Sequence, residues 1–176
     1  MKPDFRGHLF LAAIAAAVLA GCIGPGQEMP PHAMTKEEME SCFMPNAEAS
    51  RVVSVTNGGP AAANILVQTH AVAVKETGPK ETVARFGEVY AFSPAFIAVH
   101  RDEPTIIRFW NLQPDDKHDF MLVDPHMSVL MKVLLPPLQE TSFVFTFHEE
   151  GLFNFFCAMH QPAMSGQILV LPPRPR

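Results

Sequence analysis

The chain reads as an all-β protein, a Greek-key sandwich of two sheets preceded by a short amino-terminal helix and a flexible tether. Three observations predict this. From Arg51 onward, short apolar or alternating runs are separated by Gly, Pro, Asn and Asp, the pattern of an all-β domain. No long segment of helical period lies between these runs, which argues against alternating strands and helices, and no internal repeat is visible. A length of 176 residues suits one core with residues left for a leader and a linker.

The first residues account for much of the 48% hydrophobic content that stands against 18% charge. Lys2 and Arg6 precede the apolar run Leu9 to Leu19, and small residues follow, which is the order of an export signal. A membrane-spanning helix needs roughly 20 apolar residues, and Gly24, Pro25 and Gly26 end this run too early. The residues Leu19-Ala20-Gly21-Cys22 resemble the lipobox of bacterial lipoproteins, which implies cleavage before Cys22 and its lipidation. The plainer reading is ordinary cleavage with Cys22 incidental. Several acyl chains on one residue would hold the domain at a membrane surface, since anchoring grows with each buried methylene.

The whole chain has 13 basic and 18 acidic residues; without Lys2, Arg6 and Asp4 the mature form has 11 and 17, a formal charge of −6. Such a chain forgoes the counterion release that dominates phosphate binding, so nucleic acid is not an expected partner. Its charge suits basic protein partners.

Residues 23–34 are rich in Gly, Pro and Met and read as a tether. Thr35 with Glu38 forms a capping box, which predicts a short helix over Lys36 to Phe43, ended near Pro45. Ten β runs follow: Arg51 to Thr56, Ile65 to Lys75, Thr82 to Tyr90, Ala95 to Val99, Thr105 to Asn111, Asp119 to Val123, Val129 to Leu134, Thr141 to Phe147, Leu152 to Cys157 and Gln167 to Leu171. Their number and spacing fit a two-sheet sandwich in which some runs merge or are irregular.

The chemistry is concentrated between Gly151 and Gly166, where Cys157, His160 and Met164 fall within eight residues between two apolar strands. Thiolate and thioether sulfur beside imidazole suit copper, and two histidines with one cysteine and a weak axial methionine form the blue-copper arrangement. The second histidine is supplied upstream by His118, at the start of a strand and after the turn Gln113-Pro114-Asp115-Asp116-Lys117.

With those residues in view, the stretch from about Phe86 to Pro172 resembles the cupredoxin family of type 1 copper proteins, which includes plastocyanin, azurin and amicyanin. The resemblance rests on Ala91 through Val99, on Asn111 with His118-Asp119-Phe120, on Pro136-Pro137 before Thr141 to Phe147, and on Gly151 through Gly166 with the closing strand Gln167 to Val170. It implies His118, Cys157 and His160 as equatorial ligands of one copper ion, Cu(I)/Cu(II), and Met164 as the axial ligand. It also implies an apolar docking patch around Met159, Pro162 and Ala163, with electrons passing near His160. Asp119 stands where many members have Asn, and Ala158 where a hydroxyl residue is frequent, so contacts between the two ligand loops are expected to differ.

On this reading residues 1–21 are a lipoprotein-type signal peptide, 22–50 a tether with a short helix, and 51–176 a cupredoxin-like domain. The expected function is one-electron transfer at the outer face of a bacterial membrane, by a monomer, with redox proteins as partners. A copper-binding or copper-delivery lipoprotein is the alternative, because Met29, Met34, Met39 and Met44 recur near His32 and Cys42. Those methionines also read as linker and packing residues. Enzyme function is not expected, since the His-x-His pairs of multicopper oxidases and nitrite reductases are missing from the sequence. A dinuclear centre would need a second cysteine four positions from the first, where Phe153 and Gln161 stand. A Cys42–Cys157 disulfide is the competing account of the two remaining cysteines. His100, His126 and His148 have no companion at ligand spacing and read as surface residues.

Overall fold

The computed structural model describes residues 42–175. The signal segment, Cys22, the tether and most of the expected amino-terminal helix lie outside them. The end of that helix is different from the expectation: Phe43 is extended and forms an isolated antiparallel bridge with Lys132. A 3-10 turn follows at Ala49–Arg51, started by Asn46, whose side-chain oxygen accepts the Glu48 and Ala49 N–H groups at 3.0 and 2.9 Å.

Ten strands build the domain: β1 Val53–Thr56, β2 Ala63–Ala73, β3 Val89–Ser93, β4 Phe96–His100, β5 Thr105–Asn111, β6 His118–Val123, β7 Val129–Leu135, β8 Glu140–Phe147, β9 Gly151–Phe156 and β10 Ser165–Leu171. One sheet has the order β1-β8-β5-β2-β3 and the other β4-β10-β9-β6-β7. The β2–β5 and β4–β10 pairs are parallel and the other pairs antiparallel. None of the ten strands merges with another.

Strand alternation sets the core. In β5, Thr105, Ile107, Phe109 and Asn111 are buried while Ile106, Arg108 and Trp110 turn outward. Phenylalanines from the two sheets interdigitate: Phe109 meets Phe120 at 4.5 Å between ring centroids, Phe92 meets Phe155 at 5.3 Å, and Phe147 meets Phe153 at 5.0 Å. Each such pair adds about 0.5–1.5 kcal/mol beyond its area burial. Gly166 passes so close to the Phe155 ring and the Ala95 carbonyl that a Cβ there would overlap both.

The third expected strand run begins differently. Lys80–Phe86 is a helix, α1, and the strand starts only at Val89. Pro79 presets the backbone before its first turn, where Glu81 lies, and Gly87, at φ 76°, closes it by donating to the Val83 carbonyl at 2.9 Å. Thr82, Val83 and Ala84 suggested a strand by composition, but the end signals prevailed. The helix has no buried residue, so its sequence lacks the apolar stripe that would have marked it.

Sheet pairing determines where the loops meet. Met121 opposes Phe156 across β6 and β9, so the residues after β9 run alongside the beginning of β6. The β9–β10 loop therefore comes back beside His118.

Candidate metal centre

His118 is the first residue of β6 and is completely buried. The loop that leads to it is held by Asn111 at the end of β5. Asn111 Nδ2 donates to the Asp116 and Leu135 carbonyls at 2.8 and 3.0 Å, while its oxygen accepts Thr69 Oγ1 at 2.8 Å and the Gln113 N–H at 3.0 Å. All the polar capacity of this buried amide is used to fix the turn, which is what makes a buried polar residue stabilising rather than costly.

Cys157 follows β9, and a 3-10 turn, Ala158–His160, brings His160 round. The loop closes on itself: Cys157 N–H donates to the Met164 carbonyl at 2.9 Å, Met164 N–H to the His160 carbonyl at 3.1 Å, and Gln161 Nε2 to the Cys157 carbonyl at 3.0 Å. Met164 is fully buried and belongs to the core cluster.

His118, Cys157 and His160 converge, with one ligand atom from each lying within 4.8 Å of the others. His118 Nδ1 and His160 Nδ1 are 3.1 Å apart, and Cys157 Sγ is 3.5 Å from His160 Nδ1. Cys157 and Cys42 are both free thiols, which removes the disulfide alternative. His118 and Cys157 are buried, whereas His160 is half-buried beside the exposed Met159. His118 Nε2 is buried with no hydrogen-bond partner among the described residues.

The surroundings disfavour charge on the donor groups of the metal-free chain. Burial, followed by repulsion from His160, lowers the His118 pKa to about 4, against a smaller opposing pull from Asp116. Burial raises the Cys157 thiol to about 11, although the Asp119 N–H that donates to its sulfur at 3.4 Å works the other way. Two imidazoles and a thiol whose proton a metal cation would displace into solvent form a soft nitrogen and sulfur donor set, which suits copper. The residues thus fit a single copper ion.

Two neighbours, Tyr90 and Lys132, were not singled out in the sequence. Tyr90 is buried on β3; its ring centroid lies 4.9 Å from that of His118 and 4.5 Å from that of His160. Its hydroxyl donates to Asp116 Oδ2 at 2.5 Å, and burial with this carboxylate pushes its pKa far up. Lys132 Nζ lies 3.4 Å from Asp119 Oδ2. Tyr90 is the chain's single tyrosine, but nothing in its local pattern points to histidines far along the chain. Two histidines outside the centre have other partners: His100 Nδ1 contacts the Pro172 carbonyl at 2.7 Å, and His148 lies between Ser54 and Asp102.

No family model matches the chain, and no curated protein matches it. Solved structures do match. Auracyanin B is similar at 14% identity and a TM-score of 0.49, over 69% of this chain and 99% of that one. Auracyanin A, a "blue" copper protein from Chloroflexus aurantiacus, is similar at 17% identity and a TM-score of 0.43, over 61% and 98%. A reduced Cu(I) form of an amicyanin variant is similar at 19% identity and a TM-score of 0.40, over 75% and 93%.

Proposed function

We propose that this chain is a mononuclear type 1 copper protein that carries single electrons. The observation that supports this most is the convergence of His118, Cys157 and His160, with one ligand atom from each within 4.8 Å of the others, and with Met164 buried in the same loop. His118, Cys157, His160 and Met164 would hold the ion. Bound there, copper supplies a one-electron couple between Cu(I) and Cu(II) in a donor set intermediate between the preferences of the two states.

The chain's own residues do the rest. The closed Cys157–Met164 loop and the Asn111-braced turn fix the donors on two rigid strand ends, so the geometry resists change when charge changes. Tyr90 packs against both imidazoles and excludes water from one side. His118 is sealed, whereas His160 reaches the surface among Met159, Pro162 and Ala163, all exposed. That edge is where a redox protein would dock and electrons would pass.

The reading extends to an exported chain held by a lipid on Cys22 at the outer face of a bacterial membrane. No helix among the described residues is long and apolar enough to cross a membrane. The domain limits, 51–176 after a tether, and action as a monomer with redox protein partners belong to the same proposal.

The test is the visible and paramagnetic-resonance spectrum of the copper-loaded protein beside that of Cys157→Ser. An intense thiolate-to-copper band that disappears in the folded variant supports the proposal. The same spectrum in both proteins rejects Cys157 as a ligand.

A further inference from the structure

Behind the donor cluster stands a carboxylate that is not one of its members. The Asp119 side chain is only 3% exposed. Its Oδ1 accepts the Ala158 N–H at 2.6 Å and its Oδ2 faces Lys132 Nζ at 3.4 Å, while its own N–H donates to Cys157 Sγ at 3.4 Å. One residue thereby touches the cysteine sulfur with its backbone and the next residue's amide with its side chain. Lys132 opposes Met121 across β6 and β7, which puts it diagonal to Asp119, within reach of a long side chain. The Lys132 backbone is held in turn by Phe43, through N–H···O bonds of 2.8 and 2.9 Å in both directions.

A buried carboxylate without a counter-charge is strongly unfavourable. Lys132, 22% exposed, supplies that charge. Each partner, taken alone, would also act on the metal. Oxidation adds one positive charge to the centre, so an uncompensated carboxylate nearby favours the oxidised state and an uncompensated ammonium opposes it. We propose that Asp119 and Lys132 are positioning residues of the metal centre: Asp119 clamps the Cys157 loop through the Ala158 amide, and the balance of the two charges sets the reduction potential. This rests on the copper reading above.

The test uses the full-length mature protein and has two arms. In the first, mediator titrations measure the potential of copper-loaded wild type, Lys132→Met, Asp119→Asn and the double variant. Lys132→Met is expected to lower the potential and Asp119→Asn to raise it, each by about tenfold in the oxidised-to-reduced ratio at fixed poise, which is about 59 mV for a one-electron couple. The double variant is expected to return to within threefold of wild type, and Lys132→Arg to match wild type. Shifts of the same sign, or both single variants within threefold of wild type, overturn the charge claim. In the second arm, amide hydrogen exchange at Ala158 is measured in the metal-free protein. Asp119→Ala is expected to speed it at least tenfold and Asp119→Asn, which keeps an acceptor oxygen, to leave it near wild type. Unchanged exchange in Asp119→Ala overturns the clamp. A wild-type protein that takes up copper without the intense band defeats the copper reading, while the exchange arm still decides the clamp.

Discussion

The two ends of β8 each hold a buried or half-buried histidine in a polar cluster, and they are built for different ends. Near its start, where Gln139 accepts the Asn111 N–H, lie His118, Cys157 and His160. Past its finish, His148 Nε2 meets Ser54 Oγ at 2.6 Å and its Nδ1 meets Asp102 Oδ1 at 2.9 Å. At the His148 end every ring nitrogen has a partner, and the backbone is tied too, with His148 N–H donating to Val52 and Asp102 N–H to Phe147. The arrangement joins the β4–β5 turn to β1 and β8, and its imidazole is a brace. At the other end His118 is sealed from water with Nε2 unpartnered, and its second nitrogen points at another imidazole and a sulfur. Residue type is similar at the two ends. What separates a ligand from a brace is whether donor atoms are satisfied by their neighbours or converge on one point.

Removing the histidine at each end should separate the two roles. His118→Ala is expected to weaken copper binding by more than about a hundredfold, beyond the usual loss for an outer partner of a metal site. It should leave the fold cooperative, since it removes a buried and incompletely satisfied group; copper titration with thermal unfolding checks both. His148→Ala is expected to leave copper binding at the wild-type level.

Acid should act at the sealed end. In the metal-free protein the unfolded chain takes up a proton on His118 near 6.5, while the folded chain resists until about 4. The unfolded state therefore binds more protons in that interval, and stability falls as pH drops through it, levelling off below about 4, with a total loss of about 3 kcal/mol. Denaturant unfolding between pH 7 and 4 should show this loss in wild type and a flatter profile in His118→Gln.

A smaller effect is expected at the brace. His148→Ala removes two side-chain hydrogen bonds and should cost about 1–2 kcal/mol of stability, and Ser54→Ala, which removes one, about 1 kcal/mol. Tyr90→Phe keeps the ring against His118 and His160 but loses the bond to Asp116, and should cost about 1 kcal/mol with copper still bound. Chemical denaturation of the three variants ranks them.

Much of the fold was legible because sandwich strands are short and punctuated. Thr105 to Asn111 was delimited to the residue, and most other strands to within one or two, since most are closed within two residues by Gly, Pro, Asn or Asp. The helix at Lys80–Phe86 was not, because a surface helix of two turns buries nothing and leaves no apolar period. Cys157, His160 and Met164 stood out through their spacing in a single loop, and His118 through the turn before it. Lys132, Tyr90 and the Ser54–His148–Asp102 array were invisible for a different reason. Each depends on strand register between segments far apart in sequence, and register is a property of the assembled sheets. Asp119 was noticed only as a departure from Asn; its counter-charge became apparent once β7 lay beside β6.

The central claim is that two imidazoles and one thiolate, from separate strand ends, share one copper ion. X-ray absorption at the copper edge of the loaded protein measures those neighbours directly. The account predicts one short sulfur and two nitrogens in the nearest shell, with the sulfur lost in Cys157→Ser. A shell of nitrogen and oxygen alone, or one that Cys157→Ser leaves unchanged, would contradict it.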